Sequence, residues 1–219
     1  DSVLVIVGSI SEGLEENLLE SKPFREWPKS HENKLSNAIG FKDSWKITAT
    51  RLNLEYQATE QVVIMLGIPT VPHGDNDDLP LRLINTHLGI GMSSLLFRRL
   101  REENGVAYEV GAHYPTKEGA SPFLIHASTS EEKAPLTLNL LLDIWLDMTT
   151  SLISEDELSL AKAKYQGQFA HITQTTSQKA ERKAQLKALQ LPDDYDEQCL
   201  VKIKSITTEG IRHVARRNL

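Results

Sequence analysis

The sequence has only one cysteine, Cys199, among its 219 residues. It therefore cannot form an intrachain disulfide or a zinc site built from cysteines. Because Asp196 and Glu197 lie beside this thiol, we expect a buried or half-buried free cysteine and not a nucleophile. Long apolar runs are also absent. No stretch reaches the roughly 20 residues that a membrane-spanning helix needs, so the sequence predicts no membrane span.

Basic charge is scarce as well. The formal net charge is -6 and the calculated pI is near 5.7. A nucleic-acid partner requires a basic surface, so this balance argues against one. The hydrophobic share of 40% and the charged share of 25% are ordinary for a globular domain with a substantial core.

The order of predicted elements indicates an α+β fold, a mostly antiparallel β-sheet packed with several α-helices in a single layered domain over residues 1–219. Strands are predicted at 3–7, 45–54, 57–68, 106–114 and 122–128. Helices are predicted at 11–19, 75–88, 93–103, 131–150, 154–173, 176–191 and 206–217. The polar segment 21–44 is expected to be an irregular surface excursion. An apolar strand starting at residue 3 suggests a fragment of a longer protein.

The richest local pattern is residues 89–108, which read GIGMSSLLFRRLREENGVAY. A turn of small residues leads into a helix, the helix is expected to end at Gly105, and a strand follows. Arg101 falls in the last helical turn and Tyr108 lies seven residues further on. This arrangement can direct a guanidinium and a phenol toward the same place.

This run resembles a signature in the second half of the M16 zinc peptidases, the pitrilysin or insulinase-type family that includes the mitochondrial processing peptidase. Three positions depart from the family pattern: Leu95 replaces an arginine, Val106 a leucine and Glu109 a small residue. The matching residues are Gly91, Met92, Ser93, Ser94, Leu96, Phe97, Arg101, Glu102, Gly105, Ala107 and Tyr108.

The resemblance implies the fold of M16-like metalloenzymes and a division of labour between two halves. In the family, an H-x-x-E-H helix binds zinc and activates water. Here no histidine has a second one within five positions, so the resemblance implies a portion that has no cofactor of its own and is inactive alone. Zinc would be carried by a complementary half, in the same polypeptide or in a partner subunit. Arg101 and Tyr108 would hold a peptide or unfolded-protein substrate and stabilise the transition state.

Other interpretations remain open. The chain could be a non-catalytic assembly subunit of the same fold, or an unrelated α+β domain. Gly89 and Gly91 suggest a tight turn more than a phosphate loop, because no third glycine or lysine follows. The acidic residues at 75–78 suit a helix N-terminus better than a calcium loop. His87 is expected to be packed in a helix and not to act as a catalytic base. His113 and His126 fall on adjacent strands and could face each other.

Overall fold

The computed structural model describes residues 3–26 and 52–219, which divide into two compact units. The smaller unit comprises residues 1–43 and 170–193, and the larger unit comprises residues 44–169 and 194–219. In chain order the elements are α1 (Leu14–Glu20), α2 (Lys22–Arg25), β1 (Val62–Thr70), α3 (Asp78–Gly89), a π-helix (Phe97–Glu103), β2 (Glu109–His113), β3 (Ser121–Thr129), α4 (Ala134–Thr150), α5 (Glu155–Ile172), α6 (Thr176–Ala188), α7 (Tyr195–Lys202), a short 3-10 helix (Ile203–Ser205) and α8 (Thr208–Asn218).

An antiparallel sheet of three strands forms one layer of the larger unit, within the described part of the chain. The strand order is β1-β3-β2, so β3 lies in the middle. Along β3 the inward side chains Phe123, Ile125 and Ala127 are completely buried, whereas Leu124 and His126 between them are only half-buried. This period of two gives the sheet one core face and one outward face.

Helix α3 contacts β2, and helix α4 contacts β1 and β3. Helix α8 packs against both of these helices. Burial of each large core side chain contributes about 1.5–3 kcal/mol relative to exposure, so this layer supplies much of the stability. Trp145 on α4 also donates a hydrogen bond from Nε1 to the Leu219 carbonyl at 3.2 Å, which ties the end of the chain to the core. The largest fully buried side chains are Leu81, Leu83, Ile84, Leu88, Leu96, Leu100, Phe123, Ile125, Leu141, Ile144, Leu158 and Ile203.

The smaller unit contains α1, α2, α6 and the last residues of α5. Helix α6 begins with a capping box, in which Thr175 and Gln178 each accept a hydrogen bond from the other's backbone N–H. The strand predicted at 3–7 is wrong. These residues are irregular, and Val3, Leu4 and Ile6 are 44%, 61% and 44% exposed. A short apolar run becomes a strand only where another strand satisfies its backbone, and no described residue pairs with it.

Several predicted boundaries also change. The strand predicted at 57–68 begins at residue 62 and continues to Thr70, because Pro69 and Thr70 pair with Pro122 and Ser121 of β3. Most of the strand predicted at 45–54 lies outside the described residues, and 52–54 are irregular. Most of the excursion predicted at 21–44 also lies outside them, while α2 occupies part of its start. Helix α7 was not predicted.

Within the described ranges, no single helix is long and apolar enough to cross a membrane. Helices α4 and α5 reach the required length and apolar composition only when taken together, and a sharp bend separates them.

Candidate functional site

Arg101 lies on a π-helix, which is wider than an ordinary α-helix. Residues Phe97–Glu103 form a π-helix, in which each turn contains one extra residue compared with an α-helix. The buried side chain of Leu100 anchors this helix to the core, and Arg101 is exposed on its last turn. Wide turns of this kind often occur at functional positions because they redirect a side chain.

The chain then turns sharply to place Tyr108 at the start of β2. Gly105 has φ +60, a left-handed conformation that favours glycine. Val106 and Ala107 are buried, and the Thr129 hydroxyl donates to the Val106 carbonyl at 2.5 Å. Tyr108 donates its backbone N–H to the Ser128 carbonyl at 2.8 Å, while 62% of the residue is exposed. The backbone of Tyr108 is therefore fixed and its phenol faces solvent.

The structure brings Arg101 and Tyr108 together. Nη1 of Arg101 donates a hydrogen bond to the backbone carbonyl of Tyr108 at 3.2 Å. The guanidinium carbon also lies 5.2 Å from the centroid of the Phe97 ring, a cation–π distance. These two contacts orient the guanidinium and leave most of its five N–H donors unused. An exposed arginine and an exposed phenol on adjacent, well-anchored positions can bind carbonyl or carboxylate oxygens.

The outward face of the sheet carries two exposed apolar side chains from β1. Val63 and Met65 on β1 are 63% and 58% exposed on this face. His126 pairs with Gly111 and not with His113, which pairs with Leu124. The two histidines share the outward face but are offset by two positions, so they do not oppose each other. The His126 ring instead covers Gly111, where an added Cβ would lie 2.6 Å from Cε1.

A second cluster of polar groups, which the sequence analysis did not identify, is buried at the start of α3. Nδ1 of His73 lies 2.7 Å from Oδ2 of Asp78 and 2.6 Å from Nη2 of Arg82. A proton on Nδ1 is donated to Asp78; without it, Nδ1 accepts from Arg82. The Tyr195 hydroxyl also donates to Oδ2 of Asp78 at 3.2 Å. The spacing of Asp78 and Arg82, four residues apart on a helix, was the available signal.

The carboxyl of Asp78 has a lowered pKa, which shows that its partners stabilise the charged form. Burial alone raises the pKa of its carboxyl, but the hydrogen bond from His73 and the charge of Arg82 outweigh burial and lower the pKa to about 2. Asp78 is thus a charged group stabilised inside the protein. The side chains of His73 and Asp78 are only 2% and 1% exposed, so a substrate has no access to them. The cluster holds the fold together and is not the reactive site.

The remaining candidates from the sequence have structural roles. Asp75 accepts the Asp77 backbone N–H at 2.8 Å, and the carboxylate of Asp77 pairs with Arg217 of α8. These acids are therefore engaged at the helix start, and in the residues the structure describes no group of three or more His, Cys, Asp or Glu could hold a metal ion. Gly89 ends α3 where an added Cβ would lie 2.4 Å from the Ala112 backbone nitrogen, so it serves close packing.

Comparison with known proteins identifies the family. Residues 1–165 match the family model of the peptidase M16 inactive domain. The chain belongs to the M16 peptidase family. The resemblance seen in residues 89–108 is thereby confirmed, and the description "inactive domain" agrees with a sequence that lacks H-x-x-E-H.

Relatives of this M16 domain include uncharacterized zinc proteases of Streptomyces coelicolor and Rickettsia felis. The Streptomyces protein is 27% identical over 168 residues, which cover 77% of this chain and 37% of that protein. The Rickettsia protein is 31% identical over 123 residues, covering 56% and 30%. The chain therefore spans less than two fifths of either relative.

Solved structures support the same fold. The crystal structure of a peptidase M16 inactive domain from Pseudomonas fluorescens has a TM-score of 0.68 at 23% identity, with 74% of this chain and 38% of that chain covered. At this identity the likeness is evidence for the fold alone, and it confirms the predicted α+β class.

Proposed function

We propose that this M16 domain binds peptide substrate and stabilises the transition state of a zinc-dependent peptidase whose metal is carried elsewhere. The observation that carries the proposal is the pairing of Arg101 with Tyr108, both exposed, at the junction of the π-helix and β2. The role of these two side chains follows from their chemistry and from the M16 pattern.

Arg101 suits the binding of substrate backbone. Its guanidinium is held by the Tyr108 carbonyl and by the Phe97 ring, and its free donors can contact a peptide carbonyl. The Tyr108 hydroxyl can donate one hydrogen bond to the oxyanion that develops when water attacks a peptide bond. The guanidinium of Arg101 and the backbone of Tyr108 are held in place before substrate arrives, which lowers the entropic cost of the reaction.

The part of this chain that the structure describes offers no site for zinc. Among residues 3–26 and 52–219 no three candidate ligands lie together, and the whole sequence has no pair of histidines at the H-x-x-E-H spacing. We therefore assign the metal to a complementary M16 half, in the same polypeptide or in a partner subunit. The naming of relatives as zinc proteases, which are much longer than this chain, supports that assignment.

Cleavage of a peptide by the intact protein, with both halves present, tests the proposal. We expect Tyr108→Phe and Arg101→Ala each to lower kcat/KM by about 10-fold or more, because each removes one donor to substrate or oxyanion. Arg99→Ala is the matched control for arginine, since Arg99 lies on the same π-helix and pairs with Glu103 at 3.7 Å. Tyr56→Phe is the control for tyrosine, since Tyr56 is 93% exposed. Unchanged kcat/KM in both site variants rejects the assigned roles.

A second candidate is a non-catalytic assembly subunit of the same fold. The exposed Val63 and Met65 on the outward sheet face favour it, because adjacent exposed apolar side chains suit contact with another protein. The two candidates differ in one observable. A functional zinc motif in the complementary half supports the peptidase, and its absence from every associated chain supports the assembly role.

A further inference from the structure

A pocket lies between α3, the π-helix and α5, within the larger unit. Its volume is about 200 Å³, and the residues that matter for its chemistry are His87, Ser93, Arg98, Asp156, Glu157 and Lys164. The proposed peptide-binding groups Arg101 and Tyr108 do not line it. The pocket therefore needs an explanation of its own.

His87 contributes a largely buried imidazole to the pocket. The residue is only 7% exposed, and it makes no hydrogen bond with any residue the structure describes. Its ring nitrogens are not among the fully buried polar atoms that lack a partner in the described part of the chain. The ring is therefore open to a hydrogen bond with a molecule in the pocket.

Arg98 and Lys164 add positive charge and unused donors. Nη2 of Arg98 donates to Oε1 of Glu157 at 3.0 Å, but its Nε is buried and has no partner among the described residues. Lys164 donates from Nζ to the Ile90 carbonyl at 2.8 Å and has two further protons to donate. Both cations are close enough to His87 to disfavour its protonation.

The acceptors at the pocket do not meet this demand. Oε1 of Glu157 is bound by Arg98, and Oε2 accepts from the backbone N–H and hydroxyl of Ser154 at 3.1 and 2.9 Å. Asp156 also lines the pocket, but it is exposed, so water screens its charge. One exposed carboxylate is thus the remaining side-chain acceptor for N–H donors from three side chains.

We propose that this pocket binds a small oxyanion, a carboxylate or a phosphate, through His87, Arg98 and Lys164. Charge-assisted hydrogen bonds from a guanidinium and an ammonium are the contacts that oxyanions prefer. The Ser93 hydroxyl lies at the same pocket and can donate a further bond. This inference does not depend on the peptidase function proposed above.

The histidine itself reports on binding. Burial lowers the pKa of His87, Arg98 and Lys164 lower it further, and Glu157 opposes them. A bound anion adds negative charge beside the ring, so it must move that pKa upward. NMR of the intact protein with labelled histidine rings measures this directly, with His87→Gln used to assign the signal. We use inorganic phosphate, N-acetylalanine and N-acetylalanine amide as probes.

We expect phosphate or N-acetylalanine to shift the His87 signal saturably and raise its pKa, and the uncharged amide to do neither. A response to phosphate alone assigns the site to phosphate, and a response to N-acetylalanine alone assigns it to a terminal carboxylate. No shift with either anion up to tens of millimolar, a range that reaches weak affinities, overturns the proposal.

Variants then test the charges. Lys164→Met should weaken binding by about 10-fold or more, because it removes a charge-assisted hydrogen bond. The matched control is Lys162→Met on the same helix, whose ammonium donates to the Ile206 carbonyl at 2.6 Å and does not line the pocket. Asp156→Asn should strengthen binding about two- to three-fold, since it removes an exposed like charge. Equal weakening by both lysine variants, in proteins with unchanged thermal unfolding, contradicts the proposed site.

Discussion

Two arginines of this domain lie over aromatic rings at the same distance but serve different purposes. Arg82 lies 5.2 Å from the Tyr114 ring, and Arg101 lies 5.2 Å from the Phe97 ring. Arg82 is also bound to Asp78 and His73 in the interior, whereas Arg101 has one hydrogen bond and faces solvent.

The comparison teaches that burial decides which role a charged group can play. A buried charge must be matched by partners, so its donors are consumed by the fold and contribute to holding one structure. An exposed charge on an anchored backbone keeps its donors available for a ligand at little cost. The buried cluster of His73, Asp78 and Arg82 should therefore control stability, and the exposed pair of Arg101 and Tyr108 should control activity.

Removal of the buried carboxylate should have the largest effect on the free energy of unfolding. Asp78→Ala leaves Arg82 and His73 without their shared carboxylate, and loss of one partner of a buried ion pair costs about 3–5 kcal/mol. Urea unfolding of the two proteins measures this difference in free energy. Glu103→Ala is the control, because its surface pair with Arg99 at 3.7 Å should contribute less than about 1 kcal/mol. Similar losses in the two variants would show that burial does not separate them.

Helix α3 carries Asp78 and Arg82 of the buried cluster, and its last residue, Gly89, packs against β2. This close packing can be tested by a substitution at Gly89. Gly89→Ala places a Cβ 2.4 Å from the Ala112 backbone nitrogen on β2, so helix and strand must move apart. Overpacking of this kind costs up to about 3 kcal/mol. The matched control is Gly167→Ala in α5, where no atom lies within 4 Å of the new Cβ. We expect that variant to gain about 0.5–1 kcal/mol, because alanine favours a helix over glycine. A Gly89→Ala protein with the same free energy of unfolding as the unmodified protein would contradict the close packing of α3 against β2.

These contacts also mark the limit of what the sequence could predict. The period of two in β3 and the apolar faces of α3 and α4 were readable, because burial patterns depend on local spacing. The closeness of Arg101 and Tyr108 was readable, because a helix, a glycine stop and a strand limit their separation, whereas the role assigned to them comes from the M16 pattern and stays a prediction. The run at residues 3–7 was misinterpreted since its fate depends on a pairing partner, which local sequence does not specify.

The buried cluster was not readable for a similar reason. Asp78 and Arg82 are neighbours on a helix, but Tyr195 is 117 residues away from Asp78 in sequence and reaches it only through the packing of α7. The π-helix was also missed, because residues Phe97–Glu103 carry no local pattern that separates a π-helix from the predicted α-helix.

Acid provides a graded test of the buried region. The pKa of Asp78 is lowered from 3.8 to about 2, so its stabilising contribution is complete above about pH 5 and is lost as the pH falls toward 2. A shift of this size corresponds to about 2 kcal/mol. The difference in unfolding free energy between the unmodified protein and Asp78→Ala should therefore shrink by about 2 kcal/mol between pH 5 and pH 2. A difference that stays constant over this range would show that the ionised carboxylate is not the stabilising form.

The smallest change in stability belongs to the exposed pair. Arg101→Ala removes one hydrogen bond of 3.2 Å at the surface, and Tyr108→Phe removes a hydroxyl for which no bond to a described residue is seen. We expect each to alter the unfolding free energy by less than about 0.5 kcal/mol, the usual range for surface substitutions. The same proteins should lose about 10-fold or more in kcat/KM when the zinc-bearing half is present. Chemical unfolding and peptide cleavage, measured on the same preparations, separate the two effects. If activity and stability instead fall together, Arg101 and Tyr108 belong with Asp78 among the residues that hold the fold, and the exposed site loses its distinct role.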